Sequence, residues 1–299
     1  MTSWTRRTVC LGVLAAPLIL SQGTVRADET APTLAEIERR LGGRLGVSAG
    51  TRDRVLLSHR VDELFPMCST FKAVAVAAIL ARVDAGSESL DRVVDFGPDI
   101  LLSYAPVTRK VVEAGGGTGR MSISDLCAAA IVWSDNSAAN LLLTALGGPE
   151  ALTVWLRGTG DTRTRLDRDE PTLNTALPGD PRDTTSPEAM RQTLGRVLLG
   201  PVLSAASRGR LEAWMIACQT GAKRLRAGLP PDWIVGDKTG SGDNGTFNDV
   251  AILRPPGSPS GPAPVLACVY VTGATAPAPA VESAYAEIGR LIAARVGAT

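Results

Sequence analysis

Apolar positions along the chain recur at two spacings, and the changes of spacing mark its organisation. Thr33 to Leu41 has a helical period, with Glu36, Glu38, Arg39 and Arg40 on the wet side, and predicts a short helix. Leu45 to Ala49 and Val55 to Ser58 predict two strands joined by the turn-like Gly50-Thr51-Arg52-Asp53. From about residue 66 to 215 the period is mainly helical, with helices expected at 71–85, 122–132, 136–146, 150–157, 187–199 and 207–217. Two stretches interrupt it. Ala114 to Gly119 (Ala-Gly-Gly-Gly-Thr-Gly) reads as a flexible loop. Leu166 to Ser186 is rich in Pro, Asp and Thr; loops of that length in compact domains are usually functional or disordered.

Apolar, β-branched runs then return. They predict strands at Trp233–Asp237, Asp249–Leu253 and Val265–Val271, a turn at Pro255–Pro264 and a closing amphipathic helix at Ala280–Val296. Strands at both ends with helices between them predict an α+β fold with two lobes and a cleft. The α/β lobe would take residues 28–65 and 216–299, and the helical lobe residues 66–215 with a long loop at about 165–183.

With 44% hydrophobic and 20% charged residues among 299, the chain can bury a large core. A formal charge of +1 gives no reason to expect nucleic acid as a partner. The beginning reads as an address. Arg6-Arg7 precede an apolar run from Val9 to Leu20, too short to span a bilayer, and Val25-Arg26-Ala27 offers an A-x-A-like cleavage site. Residues 1–27 are read as a signal peptide, and Thr5-Arg6-Arg7 fits the twin-arginine type except that Cys10 stands where a large apolar residue is usual. Its removal takes away three arginines and no acid, leaving −2 on an exported, periplasmic or secreted chain with no membrane span.

Cys10, Cys68, Cys127, Cys218 and Cys268 form no C-x-x-C pair, and with the single His59 they make no zinc spacing, so no metal is expected. A Ser-His-Asp triad would have to use His59, which also reads as a partly exposed strand residue. A nucleophilic serine here would instead need a lysine or a carboxylate as its base.

Four polar clusters stand out. Ser69-Thr70-Phe71-Lys72 heads the helix that stops at Gly86. Residues i and i+3 share a helix face, so Lys72 is placed beside the Ser69 hydroxyl, and the unbonded N–H groups of a helix start suit an oxyanion. An N-capping serine with a solvated lysine would look the same. Ser134-Asp135-Asn136 lies between two helical patterns; it is either an N-cap or a hydroxyl for proton relay with an amide for a substrate carbonyl. Lys238-Thr239-Gly240-Ser241-Gly242 ends a strand, as a solvated turn or as an edge offering a cation and hydroxyls to a carboxylate-bearing ligand. In the long loop, Glu170 and Asn174 could jointly hold one water, and Arg168 with Asp183 could staple the loop ends. The plainer reading of that loop is a polar surface with incidental charges.

S-x-x-K, S-D-N and K-T-G in this order resemble the active-site serine penicillin-recognising enzymes. Glu170-Pro-Thr-Leu-Asn174 inside Arg168–Asp183 makes the chain similar to class A serine β-lactamases over about residues 33–297, and Pro178 to Pro187 resembles the end of that family's omega loop. The resemblance implies a five-stranded antiparallel sheet packed with terminal helices, an all-helical lobe, and an active site in the cleft between them. It implies hydrolysis of penicillins and cephalosporins through a serine acyl-enzyme, by a monomer with no metal or organic cofactor and a small β-lactam as its partner.

Residue by residue, the resemblance makes Ser69 the nucleophile and the backbone N–H groups of Ser69 and Ser241 the oxyanion hole. Lys72 would help take the Ser69 proton, in competition with a water held by Glu170. Ser134 would pass a proton to the departing nitrogen with help from Lys238, and Glu170 with Asn174 would hold the water that breaks the ester. Asn136 would contact the acyl side-chain amide and Tyr104 would line the cleft mouth. Lys238, Thr239 and Ser241 would meet the substrate carboxylate, which needs a further cation. Some relatives carry an arginine on the next strand, where Phe247 stands here; others carry one ahead of the K-T-G strand, where Arg224 matches, with Arg226 close by.

The chain departs from the pattern in three places. Many class A enzymes join two helices by a disulfide; Cys127 matches one partner, but Val76 stands at the other, so that bridge is not expected. Cys68 resembles a residue that bridges, in certain carbapenem-hydrolysing relatives, to a cysteine shortly after K-T-G, where Gly242 stands. Residues 114–119 look like a small insertion. A penicillin-binding DD-peptidase would share Ser69, Lys72, Ser134, Lys238 and Thr239 without needing the stapled loop, and a β-lactam sensor would stay acylated.

Overall fold

A computed structural model describes residues 1–2, 31–257 and 263–297. The signal peptide read at 1–27 lies outside the described residues apart from its first two, and so does the middle of the turn read at 255–264.

Helix α1 (Ala31–Leu41) leads to strands β1 (Arg44–Gly50), β2 (Val55–His59) and β3 (Phe65–Pro66). Then come α2 (Phe71–Asp84), β4 (Val93–Phe96), α3 (Thr108–Ala114), β5 (Gly119–Ser122), α4 (Ile123–Val132), α5 (Asn136–Leu146) and α6 (Pro149–Gly158). After the long loop follow β6 (Thr184–Thr185), α7 (Pro187–Leu194) and α8 (Ala205–Ile216). The chain closes with β7 (Ile234–Gly242), β8 (Thr246–Arg254), β9 (Val265–Thr272) and α9 (Ala278–Gly297).

One five-stranded sheet runs β2-β1-β9-β8-β7 with every neighbour antiparallel. β9 sits in its middle, so the end of the chain pairs with the beginning: Val47 lies opposite Val269. The strand period of two divides β9 between two cores. Val265, Ala267, Val269 and Val271 pack with Leu34, Ile37, Tyr285 and Ile288 of the terminal helices. Leu266, Cys268 and Tyr270 face the other way, into the core built by α2, α4, α5, α7 and α8. The fold is α+β, a sheet buried on both faces. Among the described residues no helix is long and apolar enough to cross a membrane.

α2 is buried on nearly every side, from Phe71 to Leu80. A helix apolar all round belongs inside, and this one fixes the residues at its head against the rest of the helical packing.

Most expected elements appear within a residue or two, with instructive differences. β7 and β8 are longer than their apolar runs: Lys238 to Gly242 stay in the ladder, with Lys238 opposite Val250 and Ser241 opposite Phe247. Backbone pairing, not side-chain pattern, carries the strand through K-T-G. α3 and the short pairs β3–β6 and β4–β5 have too few residues to show a period. The helix expected over 187–199 ends at Leu194 and passes into a π-turn at Gly195–Leu199.

Candidate active site

Ser69 lies in a 3-10 turn, Cys68–Thr70, that feeds directly into α2. Cys68 holds a φ of 46°, in the left-handed region where a side chain costs about 1–3 kcal/mol. Ser69 does not cap the helix. Its Oγ donates to Glu170 Oε1 at 2.9 Å and accepts from Lys72 Nζ at 2.9 Å. Lys72 is fully buried rather than solvated, and its Nζ also lies 2.8 Å from Ser134 O, 3.3 Å from Ser134 Oγ, 2.6 Å from Asn136 Oδ1 and 2.9 Å from Glu170 Oε1. An ammonium has three protons, so it must share them among five acceptors. Burial pushes the Lys72 pKa down, and the Glu170 charge pulls the other way.

The triplet 134–136 divides its labour. Asp135 does the structural work: its Oδ1 caps α5 by accepting from Ala138 N at 2.9 Å, and its Oδ2 accepts from Val107 N and Thr108 N, both at 2.9 Å. Those bonds fasten the segment carrying Tyr104, whose carbonyl accepts from Asn136 N at 3.0 Å. Ser134, at φ 59°, and Asn136 are left to face the cleft.

Glu170 sits on the long loop with its carboxylate buried and its peptide to Pro171 cis. Asn174 Nδ2 donates to Glu170 Oε2 at 2.5 Å, while Asn174 Oδ1 is buried without a partner. The expected staple is present: Asp183 accepts from Arg168 Nε at 2.6 Å, Arg168 N at 2.9 Å and Asp167 N at 2.7 Å. A residue the sequence reading missed completes the clamp. Asn140 donates to Glu170 O at 2.8 Å and accepts from Glu170 N at 3.0 Å. Its position one helical turn after Asn136 was the available signal.

β7 forms the opposite wall. It passes so close to the serine turn that a Cβ on Gly240 would lie 2.8 Å from Met67 O and 3.2 Å from Ser69 N. Lys238, fully buried, donates to Ser134 Oγ at 3.0 Å and to Thr239 O at 2.6 Å. Burial, and then the Lys72 charge, lower its pKa to about 7. Thr220, also missed, shares a 2.6 Å hydrogen bond with the Thr239 hydroxyl. Arg224 is 9% exposed, not a solvated helix-end residue, and donates to Asn248 O at 3.2 Å and Ser241 Oγ at 3.0 Å. Among the described residues no carboxylate pairs with it, whereas Arg226 is committed to Asp237 at 3.0 Å.

These groups surround one cleft of about 340 Å³, lined by Ser69, Tyr104, Ser134, Asn136, Asn174, Thr220, Arg224, Thr239, Gly240 and Ser241. Lys72, Glu170 and Lys238 lie directly behind it. His59 is elsewhere, on β2, with Nε2 3.1 Å from Glu38 of α1. Cys68, Cys127, Cys218 and Cys268 are buried and unpaired.

The Beta-lactamase enzyme family matches residues 30–296. The chain is 44% identical to beta-lactamase CTX-M-8 of Citrobacter amalonaticus over 268 residues, covering 89% of this chain and 87% of that one. It is 45% identical to beta-lactamase AST-1 of Nocardia asteroides over 267 residues, covering 89% and 83%. Its fold matches the solved structure of an ancestral class A beta-lactamase with a TM-score of 0.83 at 55% identity, covering 88% of this chain and 98% of that one. Fold and cleft thus define a hydrolase that works through a serine. The chain belongs to the beta-lactamase enzyme family, as a class A member that hydrolyses the lactam ring of penicillins and cephalosporins.

Proposed function

We propose that Ser69 is the nucleophile, acylated by the β-lactam and released by a water that Glu170 activates. The observation that carries this reading is the position of the Ser69 hydroxyl, 2.9 Å from both Lys72 Nζ and Glu170 Oε1. A serine hydroxyl needs a base beside it to act at neutral pH. Burial works against the charged form of Lys72, while the Glu170 charge favours it.

In this reading Ser69 Oγ attacks the lactam carbonyl and its proton passes to Lys72 or to Glu170, each 2.9 Å away. The N–H groups of Ser69 and Ser241 take the oxyanion; losing one such donor typically costs about 3–4 kcal/mol in the transition state. The C–N bond breaks as Ser134 gives its proton to the nitrogen and takes one back from Lys72, 3.3 Å away, with Lys238 donating to the same hydroxyl at 3.0 Å. A water taken up by Glu170 and Asn174 in place of their direct contact then attacks the ester and gives its proton to Glu170, which returns it to the departing Ser69 oxygen, 2.9 Å away. The partnerless Asn174 Oδ1 supports a water there. Lys72 occupies Asn136 Oδ1, which leaves the Asn136 amide N–H for a substrate carbonyl. Tyr104 lines the mouth, and Lys238, Thr239, Ser241 and Arg224 receive the carboxylate, Arg224 rather than Arg226 because Arg226 is paired with Asp237 while Arg224 lines the cleft.

The two separate cores support reading the cleft as the seam between an α/β lobe (28–65 and 216–299) and a helical lobe (66–215), with an omega loop at about 165–183. The composition of residues 1–27 supports export to the periplasm or medium.

The test is turnover of a chromogenic cephalosporin beside the Glu170→Ala variant, with intact-mass analysis. Sustained turnover by the wild type and a stalled adduct on Ser69 in the variant are expected. A wild type that stops after one equivalent would mean that Glu170 has another role and that the chain behaves as a penicillin-binding protein.

A further inference from the structure

Two aromatic rings enclose the cation at the carboxylate end of the cleft. The guanidinium carbon of Arg224 lies 5.2 Å from the centroid of the Phe247 ring and 5.1 Å from that of Tyr285, within the reach of a cation–π contact. Phe247 comes from β8 and Tyr285 from α9, and the two are tied together: the Tyr285 hydroxyl lies 2.6 Å from Phe247 O and 3.2 Å from Val269 O. Tyr285 is fully buried and does not line the cleft.

We infer that Phe247 and Tyr285 are positioning residues for the reaction, holding the Arg224 guanidinium toward the substrate carboxylate without neutralising it. A carboxylate beside Arg224 could fix it equally well, but would compete with the substrate for the same N–H donors. An aromatic face attracts the charge without taking an N–H donor, so only the bonds to Asn248 O and Ser241 Oγ draw on them. The arrangement also gives Phe247 a purpose. Where some class A relatives carry an arginine, this chain supplies the cation from residue 224, and residue 247 becomes one wall of its holder. Ser241 Oγ and Asn248 O then set the orientation of the plane. The inference rests on the reading of Arg224 as the carboxylate's cation.

Steady-state kinetics on a carboxylate-bearing chromogenic cephalosporin test both, using the full chain freed of its leader. Arg224→Gln is expected to raise KM. Phe247→Leu and Tyr285→Leu are each expected to raise KM by about three- to tenfold with kcat held within about twofold, the range of one cation–π contact. Tyr285→Phe keeps the ring but loses the hydroxyl that meets Arg224 and holds Phe247 O, so its KM is expected to fall between those of the wild type and Tyr285→Leu. In an Arg224→Gln background, Phe247→Leu should add no further rise, since the two act as one unit. A role in folding alone would lower yield or thermal midpoint and leave KM unmoved. Unchanged KM in Phe247→Leu and Tyr285→Leu, with Arg224→Gln impaired, would overturn the aromatic holder and leave the Arg224 assignment standing. An unchanged KM in Arg224→Gln would overturn that assignment, and the holder with it. Should Tyr285→Leu fail to fold, Phe247→Leu at its partly exposed position carries the test.

Discussion

Lys238 reaches out of β7 to Ser134 on the other side of the cleft, its Nζ donating to Oγ at 3.0 Å. Fully buried and near Lys72, this ammonium has a pKa lowered to about 7 from the ordinary 10.5. In the free enzyme it therefore loses its charge as pH rises through about 7, and with it the cation proposed above for the substrate carboxylate. We expect kcat/KM, which reports the free enzyme, to fall on that alkaline side. Lys238→Arg keeps a charge at all these pH values and should move the fall upward. The same limb in both enzymes would separate it from Lys238. The sign for stability is opposite. With the folded pKa below the unfolded one, the unfolded chain binds more protons between about 7 and 10.5, so this residue's contribution to stability rises with pH across that window.

Asp183 holds the other end of the chemistry in place. Fully buried, it accepts from two backbone N–H groups and from the Arg168 guanidinium, closing the loop that carries Glu170. Asp183→Asn puts an amide against the guanidinium and removes a charged hydrogen bond worth about 1.5–3 kcal/mol. We expect a lower unfolding midpoint and, more specifically, slower deacylation, seen as a pre-steady-state burst followed by a reduced steady rate. A stability loss with no burst would show that Asn140, which bonds both the N–H and the C=O of Glu170, is sufficient to hold it.

How far the sequence could be read follows from what each residue does. Chemistry demands residue identity at close spacing, so Ser69 with Lys72, and Glu170 with Asn174, stand out against a helical or polar background. Asp135 shows a limit of that reading. The triplet 134–136 was open as cap or as site; the middle residue caps and anchors, while its neighbours face the cleft. Residues that act only through tertiary placement leave no local trace. Thr220 meets Thr239 across 19 positions, and Tyr285 reaches Phe247 across 38. Arg224 and Arg226 lie on one short turn, and no spacing rule separates them; Asp237 does, by claiming Arg226. The extension of β7 through Lys238–Gly242 escaped for a related reason, since its small and polar residues carry no alternation of their own.

Gly240 is required by contact rather than by backbone angle. A methyl group there would sit 2.8 Å from Met67 O, 3.1 Å from Thr70 N and 3.2 Å from Ser69 N, all backbone atoms of the serine turn. Either β7 or that turn must withdraw, and both carry N–H groups assigned to the oxyanion. Gly240→Ala should lower kcat/KM by about 10²–10³, the usual cost of one oxyanion donor. Circular dichroism should show the fold retained. Wild-type kinetics from this variant would rule out Ser69 N and Ser241 N as the donors.

Gly242 lies beside the other sensitive residue of that turn. A Cβ built there falls 2.7 Å from Cys68 Sγ and 2.5 Å from Asn174 O. The first contact is close to what a disulfide needs, since an S–S bond of about 2.05 Å puts each Cβ about 3 Å from the partner sulfur. The second means that any side chain pushes on the segment carrying Asn174, which is also tied to this strand end through Asp243 N at 2.9 Å. Gly242→Cys should therefore oxidise to a 68–242 bridge, read as the loss of two hydrogens by intact mass and of thiol labelling after denaturation. The native Cys68 thiol, buried and with its pKa raised by that burial, should resist labelling in the folded wild type. Gly242→Ala supplies the same push with no bridge. A deacylation defect shared by both variants assigns the effect to displacement of Asn174, and a defect confined to Gly242→Cys assigns it to the bridge pulling on the serine turn. Two thiols that both label in denatured Gly242→Cys would mean that the strand end stands farther from Cys68 than this geometry requires.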